Sequence, residues 1–233
     1  MNAPLIPPPT PPGAFAVSLR TAFILLLFTL AFTALMAATY EATRPIFEET
    51  ARQQRMKLID EILPPEEYDN DLLADYVTLP PIAALGLDRP SQLYRARRQD
   101  RPVALVFEAV ARQGYGGEIR LILALRADGR LAALRVTAHR ETPGLGDYID
   151  PRKDKNRTRP WIDQFAGQPL DLAKAGRWKV KKDGGIFDAR AGATISARAV
   201  VEASRRAMLW GGEHGAGLFA WPRATPYAPE TER

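Results

Sequence analysis

The chain contains no cysteine, which excludes disulfides, thiolate zinc sites and cysteine-ligated iron–sulfur clusters. Histidine is almost as scarce: His139 and His214 are the two in the chain, and imidazoles so far apart in sequence make a poor metal cage. No metal site or catalytic constellation is expected, so a redox role here would need an organic cofactor. Nothing matches a nicotinamide fingerprint, which requires a glycine-rich turn between a strand and a helix. Charge is close to balance, with 32 Lys+Arg against 27 Asp+Glu. The basic residues are scattered except in "PRKDKNRTRP", residues 151–160. That run lacks interleaved aromatics and a reader motif, so it reads as a solvated loop and no nucleic-acid partner is expected. There is no internal repeat. A length of 233 residues allows one good-sized domain and an appendage.

Long apolar runs are also rare, and there is one. "TAFILLLFTLAFTALMAATY", residues 21–40, holds no charge over 20 positions. At about 1.5 Å per residue a helix of that length spans about 30 Å, the thickness of a bilayer's hydrocarbon core. The run is longer than the roughly 7–15 apolar residues of a cleaved signal peptide, so an uncleaved membrane anchor is the preferred expectation. The leader "MNAPLIPPPTPPGAF" is proline-rich and reads as an extended tail. Orientation is weakly encoded. Arg20 precedes the run and Arg44, Arg52, Arg55 and Lys57 follow it, yet long domains cross membranes largely regardless of their charge.

Beyond the membrane run, Ile46, Phe47, Met56, Ile59, Ile62 and Leu63 recur among charges in a helical pattern that stops at Pro64-Pro65, as a stalk or outer helix would. The segment from there to about Pro90 carries no clear pattern. "VALVFEAVA" (103–111), "IRLILAL" (119–125) and "LAALRVTAH" (131–139) are apolar runs of strand length, separated by glycine-bearing turns. They predict three antiparallel strands. "ISARAVVEASRRAMLWGG" predicts an amphipathic helix with Ser196 at its N-cap and Gly211-Gly212 closing it.

Two stretches could carry chemistry. "ARAGATIS" places the Thr194 hydroxyl among small residues at the foot of that helix, where unpaired N–H groups and the helix dipole favour an anion such as a phosphate. On these residues alone, a tight turn into the helix, with Thr194 helping to cap it, is the better explanation of the pattern. "ETPGLGD", residues 141–147, follows a predicted strand. Its glycines let backbone N–H groups approach a flat or anionic ligand, although most such loops are only loops.

Taken together, "GYGGEIRLILAL", "DGRLAALRVTAHRETPGLGD", "WIDQF" and "WKVKKDGGIFDARAGATISARAVVEA" resemble the FMN-binding domain of the RnfG family, the G subunits of the Rnf electron-transport complex, also called Rsx. The resemblance spans roughly residues 114–210, and a single N-terminal membrane helix fits it. It implies an α+β fold, an antiparallel sheet flanked by helices, carried on one transmembrane helix. It also implies that a flavin transferase joins FMN through its phosphate, as a phosphoester, to the last threonine of Asp-x-x-Ser/Thr-Gly-Ala-Thr. In this chain that motif is Asp188 to Thr194, with Gly192 and Ala193 before the acceptor Thr194. Ala191 stands where serine or threonine is usual. Glu141, Thr142, Gly144, Leu145 and Gly146 are the implied loop against the flavin.

The implied organisation is a cytoplasmic proline-rich tail (1–18), a transmembrane helix (19–40), a periplasmic stalk (41–90), a periplasmic FMN-binding domain (91–215) and a C-terminal tail (216–233). The implied role is a flavoprotein subunit, without independent activity, of an inner-membrane translocase. That complex couples electron transfer between ferredoxin and NAD to ion movement, with its other subunits and membrane lipid as partners. "ISARAVV" and "VKKDGG" favour this family over the related C subunit of the sodium-translocating NADH:quinone reductase. A membrane-anchored FMN-binding sensor or assembly factor is the alternative of a different class.

Overall fold

The computed structural model describes residues 13–228. The proline-rich leader therefore falls outside the described residues, apart from its last positions, as do residues 229–233 of the expected tail. The described chain forms two compact units, one through Gln53 and one from Gln54.

The first unit is helical. Helix α1 is Ala14–Asp60, with Pro45 inside it, so the expected membrane helix and the expected stalk helix belong to one assigned element. Phe23, Leu25, Leu30, Phe32, Leu35 and Met36 are all exposed, and α1 is long and apolar enough to cross a membrane. Several of its hydroxyls are satisfied within the helix. Thr21, Thr29 and Thr39 each donate to the carbonyl four residues back, at 2.9, 2.9 and 2.8 Å. Internal pairing of this kind is what a segment surrounded by hydrocarbon requires.

The second unit is built on a five-stranded antiparallel meander in the order β1-β2-β3-β4-β5. The strands are β1 (Tyr76–Leu79), β2 (Ser91–Arg98), β3 (Arg101–Gly114), β4 (Gly117–Arg126) and β5 (Leu131–Ala138). Two helices follow, α2 (Leu170–Lys174) and α3 (Thr194–Ala220). Both faces of the sheet are covered. Leu105, Phe107, Leu121, Leu123 and Leu134 share one core with Val200, Ala203, Ala207, Met208 and Trp210 of α3. Tyr94, Ala96, Ala104, Val106, Ile122 and Ala124 share the other with Ile59, Ile62, Leu63 and Leu72. A sheet buried on both sides needs near-continuous apolar strands, which is why β3 and β4 read as runs and not as alternating patterns.

Residues 54–90, set apart from the domain by the sequence pattern, lie in this second unit and supply its second core and β1. Residues 216–228 likewise continue the fold. The Thr78 N–H donates to Thr225 O at 3.0 Å and the Tyr227 N–H donates to Thr78 O at 2.8 Å, so residues 225–227 run beside β1. Gly211-Gly212 do not close α3. A Cβ at Gly211 would lie 2.6 Å from Leu125 Cδ2 and 3.1 Å from Phe107 Cζ, so the pair lets the helix pass close to the sheet and go on to Ala220.

The end of α3 is held by β2. Arg95, 1% exposed, donates from Nε to Asp75 Oδ1 at 2.8 Å and from Nη1 to Leu218 O at 2.9 Å. Arg97 donates to Asp75 Oδ2 at 2.9 Å and to Phe219 O at 2.5 Å. Two guanidinium groups thus meet the carbonyls that a helix C-terminus leaves unpaired, where positive charge is favoured.

Candidate functional site

A cavity of about 240 Å³ opens where three elements of the second unit converge, lined by Tyr115, Glu141, Thr142, Leu145, Gly146, Gly192, Ala193, Ile195 and Ser196. Tyr115 is on the β3–β4 hairpin tip, residues 141–146 follow β5, and Ile195 and Ser196 belong to the first turn of α3.

Its floor is one buried carboxylate. Glu141 is 4% exposed, and its Oε2 accepts from Ser196 Oγ at 2.5 Å while Oε1 accepts from the Gly116 N–H at 3.1 Å. The Glu141 N–H donates to His139 Nδ1 at 3.1 Å. One side chain therefore ties the hairpin tip, the loop and the helix together, and a buried carboxylate needs such donors to be tolerated. Gly146 makes the enclosure feasible: a Cβ there would lie 2.5 Å from Ser196 Oγ and 2.7 Å from Glu141 Oε2. The loop is closed by the Leu145 and Gly146 N–H groups, both on Thr142 O at 3.1 Å, and by the Gly144 N–H on Asp147 Oδ1 at 2.9 Å.

The segment leading to Thr194 is clasped along its backbone. The Asp188 N–H donates to Gln164 Oε1 and the Asp188 carbonyl accepts from Trp161 Nε1, both at 2.6 Å. The Tyr148 hydroxyl accepts from the Arg190 N–H at 3.2 Å and donates to Ala193 O at 3.3 Å. The Arg190 guanidinium lies 4.6 Å from the Tyr148 ring centroid and pairs with Asp154. Asp154 is fully buried and accepts from the Trp161 and Asn156 N–H groups at 2.7 and 2.8 Å. Burial alone would raise its carboxyl, but those N–H donors and Arg190 together hold it below the usual carboxylate range. Burial pushes the Tyr148 phenol up, partly offset by Arg190. The basic run 151–160 is thus exposed along most of its length but hides one acid that anchors this segment.

Gly192 has φ +81°, the left-handed geometry glycine favours, and turns the chain into α3. Thr194 is the first residue of that 27-residue helix, and Ala193 at the N-cap makes no side-chain capping bond. Ser196 is therefore not the cap; its hydroxyl is spent on Glu141. Thr194 is half-buried, and its Oγ1 has a weak contact, 3.5 Å, to Arg190 O.

Of the residues selected from sequence, Glu141, Thr142, Leu145, Gly146, Gly192 and Ala193 line the cavity. Thr194 stands between lining neighbours without lining it. Gly144 lies outside, exposed at φ +76°. Asp188 also lies outside: its exposed carboxylate pairs with Lys181 Nζ at 2.7 Å. Tyr115 and Ile195 went unselected because exposure at a rim leaves no periodic signal. A larger, more open depression of about 780 Å³ adjoins Ile195 but holds none of the selected residues. Its arginines are already engaged, Arg198 with Asp183 at 2.7 and 2.6 Å and Arg112 with Gly86 O at 3.0 Å.

Comparison with known proteins adds to this geometry. Residues 114–209 match the FMN-binding domain family, and residues 16–62 match the RnfG N-terminal region. The G subunit of the ion-translocating oxidoreductase complex of Shewanella baltica (strain OS223) is 39% identical over 204 residues, 88% of this chain and 94% of that protein. The protein of the same name from Pseudomonas aeruginosa (strain UCBPP-PA14) is 44% identical over 193 residues, 82% of this chain and 87% of its own length. That of Salmonella typhi is 41% identical over 187 residues, 80% and 87% of the two chains. On this similarity, which runs through both the apolar helix and the cavity-bearing domain, the chain belongs to the RnfG family, the G subunits of ion-translocating oxidoreductase complexes.

Proposed function

We propose that the chain is the flavoprotein subunit of such a complex, carrying FMN through a phosphoester on Thr194 Oγ1. The observation that carries this reading is the position of Thr194: first residue of a long helix without a side-chain cap, its hydroxyl scarcely engaged, beside a cavity. A phosphate there gains from the unpaired N–H groups and the dipole of α3. The clasp formed by Tyr148, Trp161, Gln164 and Asp154 fixes the approach to Thr194, so a modifying enzyme meets a preformed turn.

The residues present fit the group. The rim is apolar, the floor is polar but internally paired, and small residues lead to the acceptor. When bound, the flavin supplies the electron chemistry, while the protein supplies binding, orientation and electrostatics. Glu141 and Ser196 hold the floor rigid, and Arg190 sets a positive charge next to the turn that leads to the phosphoester.

In this reading the complex couples electron transfer between ferredoxin and NAD to ion movement across the inner membrane. The N-terminus is cytoplasmic, α1 spans the lipid, and the second unit is periplasmic, where a flavin transferase modifies it. The test is fluorescence of the denatured band. A chain produced with a flavin transferase fluoresces as flavin after boiling in detergent, because an ester survives and a non-covalent flavin leaves. Thr194→Ala abolishes the signal. A Thr194→Ala band as bright as the natural one overturns the assignment.

A further inference from the structure

Among the described residues of the second unit, the large apolar side chains left exposed are Tyr115, Leu145 and Ile195, at 71, 53 and 48%. All three line the 240 Å³ cavity. Single exposed apolar residues are ordinary on a protein surface. Here three from separate elements converge on one opening, and the rest of the unit shows no such exposure among the described residues.

The backbone holds each of them out. Tyr115 is lifted by the hairpin tip between Gly114 and Gly117, which the Gly116 N–H bond to Glu141 pins against the loop. Leu145 sits in the turn closed on Thr142 O, and Ile195 is fixed by α3. On the floor, the Ser196 O–H and the Gly116 N–H are both directed to Glu141 and not to the opening. Sites that enclose a drug-sized ligand usually measure about 300–1,000 Å³. This cavity, at about 240 Å³, falls below that range, so a flavin nucleotide placed there stays partly outside, against the rim.

We propose that Tyr115, Leu145 and Ile195 form the apolar clamp for the isoalloxazine ring, with the Tyr115 phenol packed on one face of it. This rests on the reading that FMN is joined at Thr194. An aromatic face is the partner that a flat, conjugated ring prefers, and two aliphatic side chains complete the enclosure without competing for its polar edge.

The phenol gives the proposal an optical signature. In van der Waals contact with an excited flavin, a tyrosine phenol donates an electron and takes it back without emission, so the flavin's fluorescence is quenched. Phenylalanine and leucine, harder to oxidise, do not quench in this way. The experiment uses the full-length chain, labelled with FMN by a flavin transferase and purified in detergent, and compares native emission per covalently bound flavin before and after denaturation. Tyr115→Phe and Tyr115→Leu keep their label, because a side chain 71% exposed contributes little to folding. Their native emission rises at least threefold over that of the natural chain, and the difference disappears on denaturation. Leu145→Ser with Ile195→Ser lowers the native emission anisotropy, because the ring turns more freely. Equal native emission in the natural chain and both Tyr115 variants overturns the clamp. A natural chain with no covalent flavin at all overturns the underlying reading, and the clamp with it.

Discussion

Replacing Asp154 with asparagine removes the charge behind the turn that precedes Thr194 while keeping its shape. In the native protein the fully buried carboxylate takes the Trp161 and Asn156 N–H groups and the Arg190 guanidinium. Asparagine has one acceptor oxygen, so at least one of those backbone donors faces an amide N–H₂ and loses its bond. An unsatisfied buried donor costs about 1–3 kcal/mol. The Arg190 side chain is 40% exposed, so its lost ion pair is discounted to at most about 1 kcal/mol, the range of solvent-screened pairs. The sum is a loss of about 1–4 kcal/mol at pH 7.

The pH dependence follows from the depressed carboxyl. A group whose folded pKa lies below its unfolded value of 3.8 stabilises the fold fully above that value and loses the contribution as pH falls through the folded value. The difference between natural and Asp154→Asn chains is therefore constant from about pH 7 to 5 and shrinks below about pH 4. Urea unfolding of the full chain in detergent, followed by tryptophan emission, measures it, since Trp161 lies in the affected turn. A difference under about 0.5 kcal/mol, or one that grows as pH falls, refutes the reasoning.

Arg95→Leu leaves Asp75, 2% exposed, without its closest partner and uncovers the carbonyls at the end of α3; breaking a buried pair in this way costs about 3–5 kcal/mol, read as a fall in the urea midpoint. Gly146→Ala puts a Cβ against Ser196 Oγ and Glu141 Oε2 and forces the floor apart, which costs about 1–3 kcal/mol and lowers FMN labelling of Thr194 in the denatured-band assay. For the anchor, a high-salt wash of membranes leaves the chain in the pellet and detergent releases it, because salt screens charges but does not extract an apolar helix; release by salt alone contradicts a membrane-spanning α1.

The sheet's central strands were legible because burial on both faces leaves long apolar runs between glycine turns. The first two strands were not. β1 is four residues long between turn-rich segments, and β2 reads "SQLYRARR", where Arg95 is buried only because Asp75 and the end of α3 receive it. The turn joining β2 to β3 adopts positive φ at Gln99 and Asp100, +50° and +60°, and so lacks the Asn-Gly or Gly signal that marks such hairpins. Gly211-Gly212 read as a stop because glycine pairs end helices. Their actual role, close approach to Leu125, Phe107 and Leu170, is a tertiary fact. At the site, the loop at 141–146 and the turn before Thr194 stood out by their glycines and small residues and took their flavin roles from resemblance, whereas Tyr115, Ile195 and Asp154 were not singled out. The first two matter through their exposure, and the third is an acid inside a basic run whose partner lies 36 residues away.

The central claim is tested most directly by mass spectrometry of the full-length chain, extracted from membranes where a flavin transferase is present. The account predicts one FMN phosphoester per chain, with fragment ions placing it on Thr194 in the peptide that follows Arg190. An unmodified chain, or an adduct on Thr142 or Ser196 with Thr194 free, contradicts it.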